Sequence, residues 1–401
     1  MPVPWVMSNA AFWSLWCFVF VLPWDKFILM PVLGSIPRLV GLAASAVGVV
    51  HVLARRRVRP LSWFHLFAML FVLWAGVSAF WSIDPEATRV RLLTYLQLVV
   101  LAWLIWEIAW SPERQRALLQ AYVLGVSFAA GVTIHTYLLG VPALEGTRFT
   151  AFSFNVNELG MTLALGLPMA WYLSLSQPHQ RFAWIWRLYL PLGVTAILLT
   201  ASRGAFVAAL VALAIIPWTL GRLRLRTKVA LYALSAATLF AATQFVPETA
   251  LERLQTIRAD VGAGHFGGRG AIWMAGLEVA QEHPVAGVGA GAYGAAVEPT
   301  LFFGWGAHSV PLAILVENGI VGLFLLLAAV AAATKPLRYL PPLQQRFSIV
   351  LLLALAVASL SGEWEDRKQF WFVLGVLAAE VVYRPAGTLI SPADAPRGRP
   401  R

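Results

Sequence analysis

The sequence predicts an all-α polytopic membrane protein with about twelve transmembrane helices and one long outer loop that contains amphipathic helices. Three observations carry that expectation. Of the 401 residues, 59% are hydrophobic and only 12% are charged, against roughly 25% charged in an average soluble domain. The apolar residues fall in long runs, and about 18 or more such residues with few charges cross a bilayer as a helix. The formal charge of +11 comes from arginines scattered between those runs rather than from a basic block. Membrane topology explains that pattern, and nucleic-acid binding does not. The single cysteine, Cys17, excludes an internal disulfide framework and any CxxC metal or redox site.

Taken in order, the first six spans are Trp5 to Trp24, Leu33 to Ala54, Leu61 to Phe80, Leu92 to Trp110, Ala117 to Leu139 and Leu159 to Ser176. The next six are Phe182 to Ala201, Ala205 to Leu220, Val229 to Phe245, Val310 to Ala333, Phe347 to Ser361 and Phe370 to Tyr383. The last two are short for a full crossing. The first run lacks a basic n-region and a small-residue cleavage site, so it is expected to remain as a helix.

Lysine and arginine set the orientation, because short loops rich in them stay in the cytoplasm. With the N-terminus inside, the cytoplasmic side holds Arg55 to Arg59, Arg114 and Arg116, Arg181 and Arg187, Arg222 to Lys228, Lys335 to Arg346 and the basic tail, nineteen of the 30 basic residues. Both termini are therefore expected in the cytoplasm. The chain divides into residues 1–245 with helices one to nine, an outer loop domain at 246–307, residues 308–384 with helices ten to twelve, and a disordered cytoplasmic tail at 385–401 rich in Pro, Gly and Arg.

Chemistry is expected in the outer loop. Leu251, Leu254 and Ile257 recur at helical spacing, and so do Trp273, Leu277 and Ala280, which predicts two amphipathic surface helices. Pro284 to Gly294 contains a GxG pattern, but no strand precedes it. A flexible turn fits it better than a dinucleotide site.

Three outward basic residues stand out. Arg203, in Ala-Ser-Arg-Gly, breaks an apolar stretch long enough for two helices. A guanidinium deep in hydrocarbon costs about 2.5 to 3.5 kcal/mol, so Arg203 either snorkels to the interface and ends a helix or holds an anion there. Arg269, in Gly-Gly-Arg-Gly, precedes the second amphipathic helix. It is either a solvated loop residue or an anion ligand beside free N–H groups. His308 lies before Ser309 and Pro311, which suit the N-cap and first turn of the next span. It is either an interfacial polar residue or a general base, for which an unperturbed pKa of about 6.5 is well placed. Neighbouring arginines would lower that pKa and keep the ring neutral.

The order SRG at 202–204, GGRG followed by Trp273, P-x-x-G-x-G at 284–289, HS at 308–309 and ENGIVG at 317–322 resembles the O-antigen ligase family, whose superfamily includes O-antigen polymerases and protein O-oligosaccharyltransferases. Arg148 with Asn155, Asn157 and Glu158 resembles a second polar patch of that family. The resemblance implies transfer of an O-antigen glycan from undecaprenyl diphosphate to a lipid A-core sugar on the periplasmic face of the bacterial inner membrane. Arg203 and Arg269 would grip the diphosphate, and His308 would take the proton of the acceptor hydroxyl in an inverting displacement. Arg148, Asn155, Asn157, Trp273 and Glu317 would bind substrate. The glycosyl diphosphate is already activated, so no cofactor is expected.

Glu363, Glu365 and Asp366 form the one outward carboxylate cluster, followed at once by Arg367 and Lys368. Local charge balance explains it better than a metal site, and the reaction is expected to be metal-independent. Glu317 and Glu380, inside spans, need partners. The partners expected are thus a lipid-linked donor, a lipid A-core acceptor and membrane lipids. Two alternatives stay open: a polymerase that joins lipid-linked glycan repeats, and a flippase or transporter, which would place its charges along a midplane path.

Overall fold

The structure, a computed structural model, describes residues 5–24, 29–30, 34–143, 148–151, 154–176, 183–222, 225–226, 228–229, 233 and 268–380. The first half contributes α1 (Trp5–Val21), α2 (Ile36–Arg55), α3 (Trp63–Val77), α4 (Pro85–Ile108), α5 (Pro112–Leu138) and α6 (Val156–Ser176). The second contributes α7 (Tyr189–Leu199), α8 (Arg203–Leu213), α9 (Ile215–Thr219), α10 (Gly270–Glu282), α11 (Tyr293–Leu301), α12 (Val310–Thr334), α13 (Pro342–Ser361) and α14 (Lys368–Ala379). Leu29–Met30 pairs antiparallel with Gly34–Ser35, the one β feature among the described residues.

Among the described residues, seven helices are long and apolar enough to cross a membrane: α2 to α6, α12 and α13. α1, α7, α8 with α9, and α14 are apolar but shorter. The chain is a multi-pass membrane protein. Most of the span expected at 229–245 lies outside the described residues, as do the amphipathic helix expected around Leu251 and the 385–401 tail.

Helix starts follow capping chemistry more closely than the apolar runs do. α4 begins at Pro85, before the run that opens at Leu92, because the Asp84 carboxylate accepts the Ala87 N–H at 3.0 Å and proline suits the first turn. α5 likewise begins at Pro112, where the Ser111 hydroxyl accepts the Arg114 N–H at 3.3 Å. Both helices thus carry polar first turns beyond the hydrocarbon.

α6 runs through the middle of the bundle and is buried along nearly all its length, packed by α5, α7, α8 and α13. Without water in a bilayer core, polar side chains must find partners inside the protein. Tyr122 and Tyr189 donate accordingly to the carbonyls of Thr162 and Leu163, at 3.0 and 2.7 Å.

α12 packs along α3 and is broken at Gly319, whose φ of +64° and ψ of −168° interrupt the helix. Backbone groups freed at the break are taken up by the segment between α10 and α11. Val288 and Gly289 donate their N–H to the carbonyls of Val316 and Glu317, each at 2.9 Å, and Ile320 donates to Pro284 at 2.9 Å. A Cβ on Gly319 would collide with the Val285 carbonyl, so this position requires glycine both for its φ and for the close approach. The expectation of a flexible turn at 284–294 is therefore corrected. The glycines at 287, 289 and 291 do have positive φ, but residues 287–290 are buried and pinned, with Ala290 bonded to Ser78 and Thr88.

Candidate active site

The turn between α13 and α14 gathers the residues of interest. Arg269, at the N-cap of α10, donates from Nη1 to the Ser361 carbonyl at 2.9 Å. Gly204, next to Arg203 in the first turn of α8, lies against the same serine: a Cβ there would stand 3.0 Å from its side chain. His308 donates its backbone N–H to Glu363 Oε1 at 3.3 Å. Residues 361–363 thus bring together the starts of α8, α10 and α12, although Arg203, Arg269 and His308 are distant in sequence.

Each start is locally determined. Ser202 caps α8 by accepting the Ala205 N–H at 3.4 Å, after a left-handed turn at Ala201. Gly268, with φ of +86°, lets the chain enter α10 at Arg269. Ser309 is the N-cap of α12 with a proline in the first turn, as the sequence predicts. His308 itself has φ of +50°, a left-handed conformation that few residues other than glycine adopt, though histidine enters it more readily than most, and that its surroundings help to hold.

Burial, with the Arg269 guanidinium nearby, holds the half-buried His308 imidazole below the ordinary histidine range, while Glu363 acts in the opposite sense. The direction matches the sequence expectation that arginine keeps this ring neutral. Burial likewise lowers the pKa of Arg269, which remains charged. Trp273 donates its indole N–H to the Ala307 carbonyl at 2.9 Å and so pins the loop just before His308.

The second polar patch sits behind the turn at 200–203. Arg148 is 4% exposed; its Nε donates to the Thr200 carbonyl at 2.9 Å and its Nη2 to Asn157 Oδ1 at 2.7 Å. It ties the segment before α6 to the chain that carries Arg203. Asn155 Oδ1 accepts the N–H groups of Asn157 and Glu158, at 2.9 and 3.3 Å, and so caps α6. These side chains are placed to hold the site together from behind.

Sequence reasoning missed Arg91. From α4 its Nη1 pairs with Glu365 Oε1 at 2.8 Å, and the guanidinium lies 3.9 Å from both Glu317 and Asp366. The charge balance read into residues 363–368 is corrected in the same way. Asp366 does contact Arg367, at 3.3 Å, but Glu365 is matched by Arg91, Glu363 accepts from His308, and Arg367 pairs with Glu158 of α6 at 2.6 Å. One signal was available: an arginine at the edge of an apolar run needs a buried acid, and Glu317 sits in another such run. Glu317, 2% exposed, meets Arg91 and faces the backbone of Gly291 and Tyr293.

Residues 188–327, which include Arg203, Arg269, His308 and the α12 break, match the family described as O-Antigen ligase (Wzy_C). This segment is similar to that family, and the match covers about a third of the chain. The family is one of membrane glycosyltransferase-like ligases and polymerases. The chain is also 28% identical over 291 residues to the Exopolysaccharide production protein ExoQ of Rhizobium meliloti (strain 1021). That alignment covers 67% of this chain and 64% of the relative, so the chain spans just under two thirds of the relative's length. The matched segment contains Arg203, Arg269, Trp273, His308 and Glu317. Arg91 and Arg148 precede it and Glu363 follows it, so the site is completed by helices from both flanks of the matched segment.

Proposed function

We propose that this protein transfers a glycan from undecaprenyl diphosphate to a hydroxyl of a lipid A-core sugar, on the periplasmic face of the inner membrane. The observation that carries this reading is the convergence on residues 361–363 of Arg269, His308 and Gly204, the residue after Arg203, at one end of the helix bundle. Both arginines stand at helix N-termini, where free N–H groups and the helix dipole favour an anion. Their guanidinium groups suit the two phosphates of the donor. His308 takes the proton of the attacking hydroxyl as the acceptor oxygen bonds to the anomeric carbon. The bond to the diphosphate oxygen breaks, the diphosphate leaves with the electron pair, and the anomeric configuration inverts. Arg148, Asn155 and Asn157 support the donor side, while Trp273 and Glu317 hold the loops around it.

No cofactor enters this scheme, and the carboxylates at 363–366 are taken up by Arg91, Arg367 and the His308 N–H. Transfer is therefore expected to persist in EDTA; loss restored by Mg²⁺ would overturn metal independence. Purified protein in lipid, mixed with a polyprenyl-diphosphate glycan and lipid A-core, is expected to glycosylate the core, and His308→Ala is expected to abolish this without unfolding. A second reading, a polymerase with another lipid-linked glycan as acceptor, is favoured by the relative named for exopolysaccharide production. In the same assay it predicts that the donor glycan lengthens while the core stays bare. Cytoplasmic termini require a reporter fused after Arg226 to report inside and one after Asp260 to report outside; the reverse would sink the placement of the site.

A further inference from the structure

We propose that Glu363 is a positioning residue for His308: its carboxylate fixes the backbone of the histidine in the left-handed turn and sets a negative charge against the imidazole that offsets Arg269. The inference rests on the reading of His308 as the base. Three features of the geometry carry it. Glu363 Oε1 is the acceptor for the His308 N–H, at 3.3 Å, in a residue whose φ of +50° is helped by an external hold. Gly306, two residues earlier, lies against Glu363 Oε1, so a larger residue there would have to displace the carboxylate from its place beside the His308 N–H. Arg269 is bonded to Ser361 in the same turn, so one short segment places the acid, the cation and the imidazole together.

The turn is also rigid enough to aim the side chain. Trp364 is buried, Glu365 is bound to Arg91, and the Glu365 carbonyl accepts the Trp371 indole N–H at 2.7 Å. Among the described residues, Arg269 from α10 and Glu363 from the turn after α13 act on the His308 ring, and Glu363 with Glu317 of α12 acts in turn on Tyr293 of α11. Burial keeps Tyr293 protonated, so it adds no charge. Arg269 and burial lower the basicity of the imidazole, and Glu363 is the group that restores it. A base whose pKa falls far below the working pH accepts a proton poorly, so burial and Arg269 keep His308 neutral while the carboxylate keeps it basic.

The test is the titration of the His308 imidazole, followed by NMR in lipid nanodiscs with ¹³C-labelled histidine and assigned against His308→Ala, beside the pH profile of transfer. Glu363→Gln keeps an oxygen for the His308 N–H and removes only the charge. It is expected to lower the imidazole pKa and the acid limb of the rate by about half a pH unit, and kcat by about three- to tenfold, with KM for the donor unchanged. Glu363→Asp, which keeps the charge but withdraws it by one methylene, is expected to shift the titration in the same direction by less. An imidazole that titrates in both variants as in the parent would overturn the proposal. If His308→Ala still transfers glycan, the base assignment falls instead, and the titration alone decides whether Glu363 acts on the ring.

Discussion

The two ends of the bundle use their arginines differently. At the end away from the site, Arg59 donates to the Trp106 carbonyl at 3.1 Å with its guanidinium 3.6 Å from the Trp106 ring centre, and its N–H meets Glu107. Arg114 donates to the Ile108 carbonyl at 2.9 Å. Both therefore stand at the C-terminal end of α4, where the helix dipole welcomes a cation. At the site end, Arg203, Arg269 and Arg367 sit at the starts of α8, α10 and α14, where the dipole disfavours a cation. Arg367 is compensated by Glu158. Arg269 donates to the Ser361 carbonyl, and under the proposed function the donor diphosphate is the anion that complements Arg203 and Arg269 at these helix starts.

The contrast breaks most sharply through the base. His308→Ala is expected to reduce transfer by about 10²- to 10⁴-fold with the melting temperature unchanged, since general-base catalysis has that size; gel-resolved product formation measures it. Next come Arg203→Lys and Arg269→Lys, each expected to cut transfer by roughly 10²-fold, because a lysine keeps the charge but loses the bidentate fork. A lysine variant at full activity would mean that the arginine only ends a helix. Gly319→Ala acts through the fold: a left-handed φ and the Val285 carbonyl both oppose a Cβ, so a loss of about 2 kcal/mol or more in detergent melts is expected.

Smaller effects sharpen the comparison from the other side. Arg59→Ala is expected to cost about 1 kcal/mol of stability through one lost carbonyl bond and a cation–π contact, with transfer per folded molecule unchanged. A large activity loss there would erase the distinction between the ends. The pH dependence comes last. Because the folded-state pKa of His308 is lowered, the neutral base survives as pH falls past its ordinary value of about 6.5, and transfer is lost only below that. The folded state binds fewer protons than the unfolded chain in that window, so stability too declines as pH drops below about 6.5.

Much of this was legible. The apolar runs marked out a multi-pass chain, seven of whose described helices are long and apolar enough to cross a membrane, and Ala-Ser-Arg-Gly, Gly-Gly-Arg-Gly and His-Ser were visible as polar interruptions. The amphipathic pattern of Trp273, Leu277 and Ala280 appears as α10. Helix starts at Pro85 and Pro112 were missed, since capping side chains outside the hydrocarbon leave no hydropathy signal. The glycines at 287, 289 and 291 looked like a loose turn because backbone pairing with a broken helix depends on a partner some thirty residues away.

The sequence by itself determined that the chain crosses a membrane repeatedly and that three basic side chains lie where apolar runs end. Both follow from the cost of placing charge and unpaired backbone in hydrocarbon, which is a local property of composition. Only the tertiary structure decided which acid meets which base: that Arg91 takes Glu365 and Glu317, that Arg148 braces Thr200, and that Glu363 holds His308. Those pairings join residues up to 274 positions apart. Long-range contacts of this kind are set by how helices pack, and a hydropathy pattern carries no record of them.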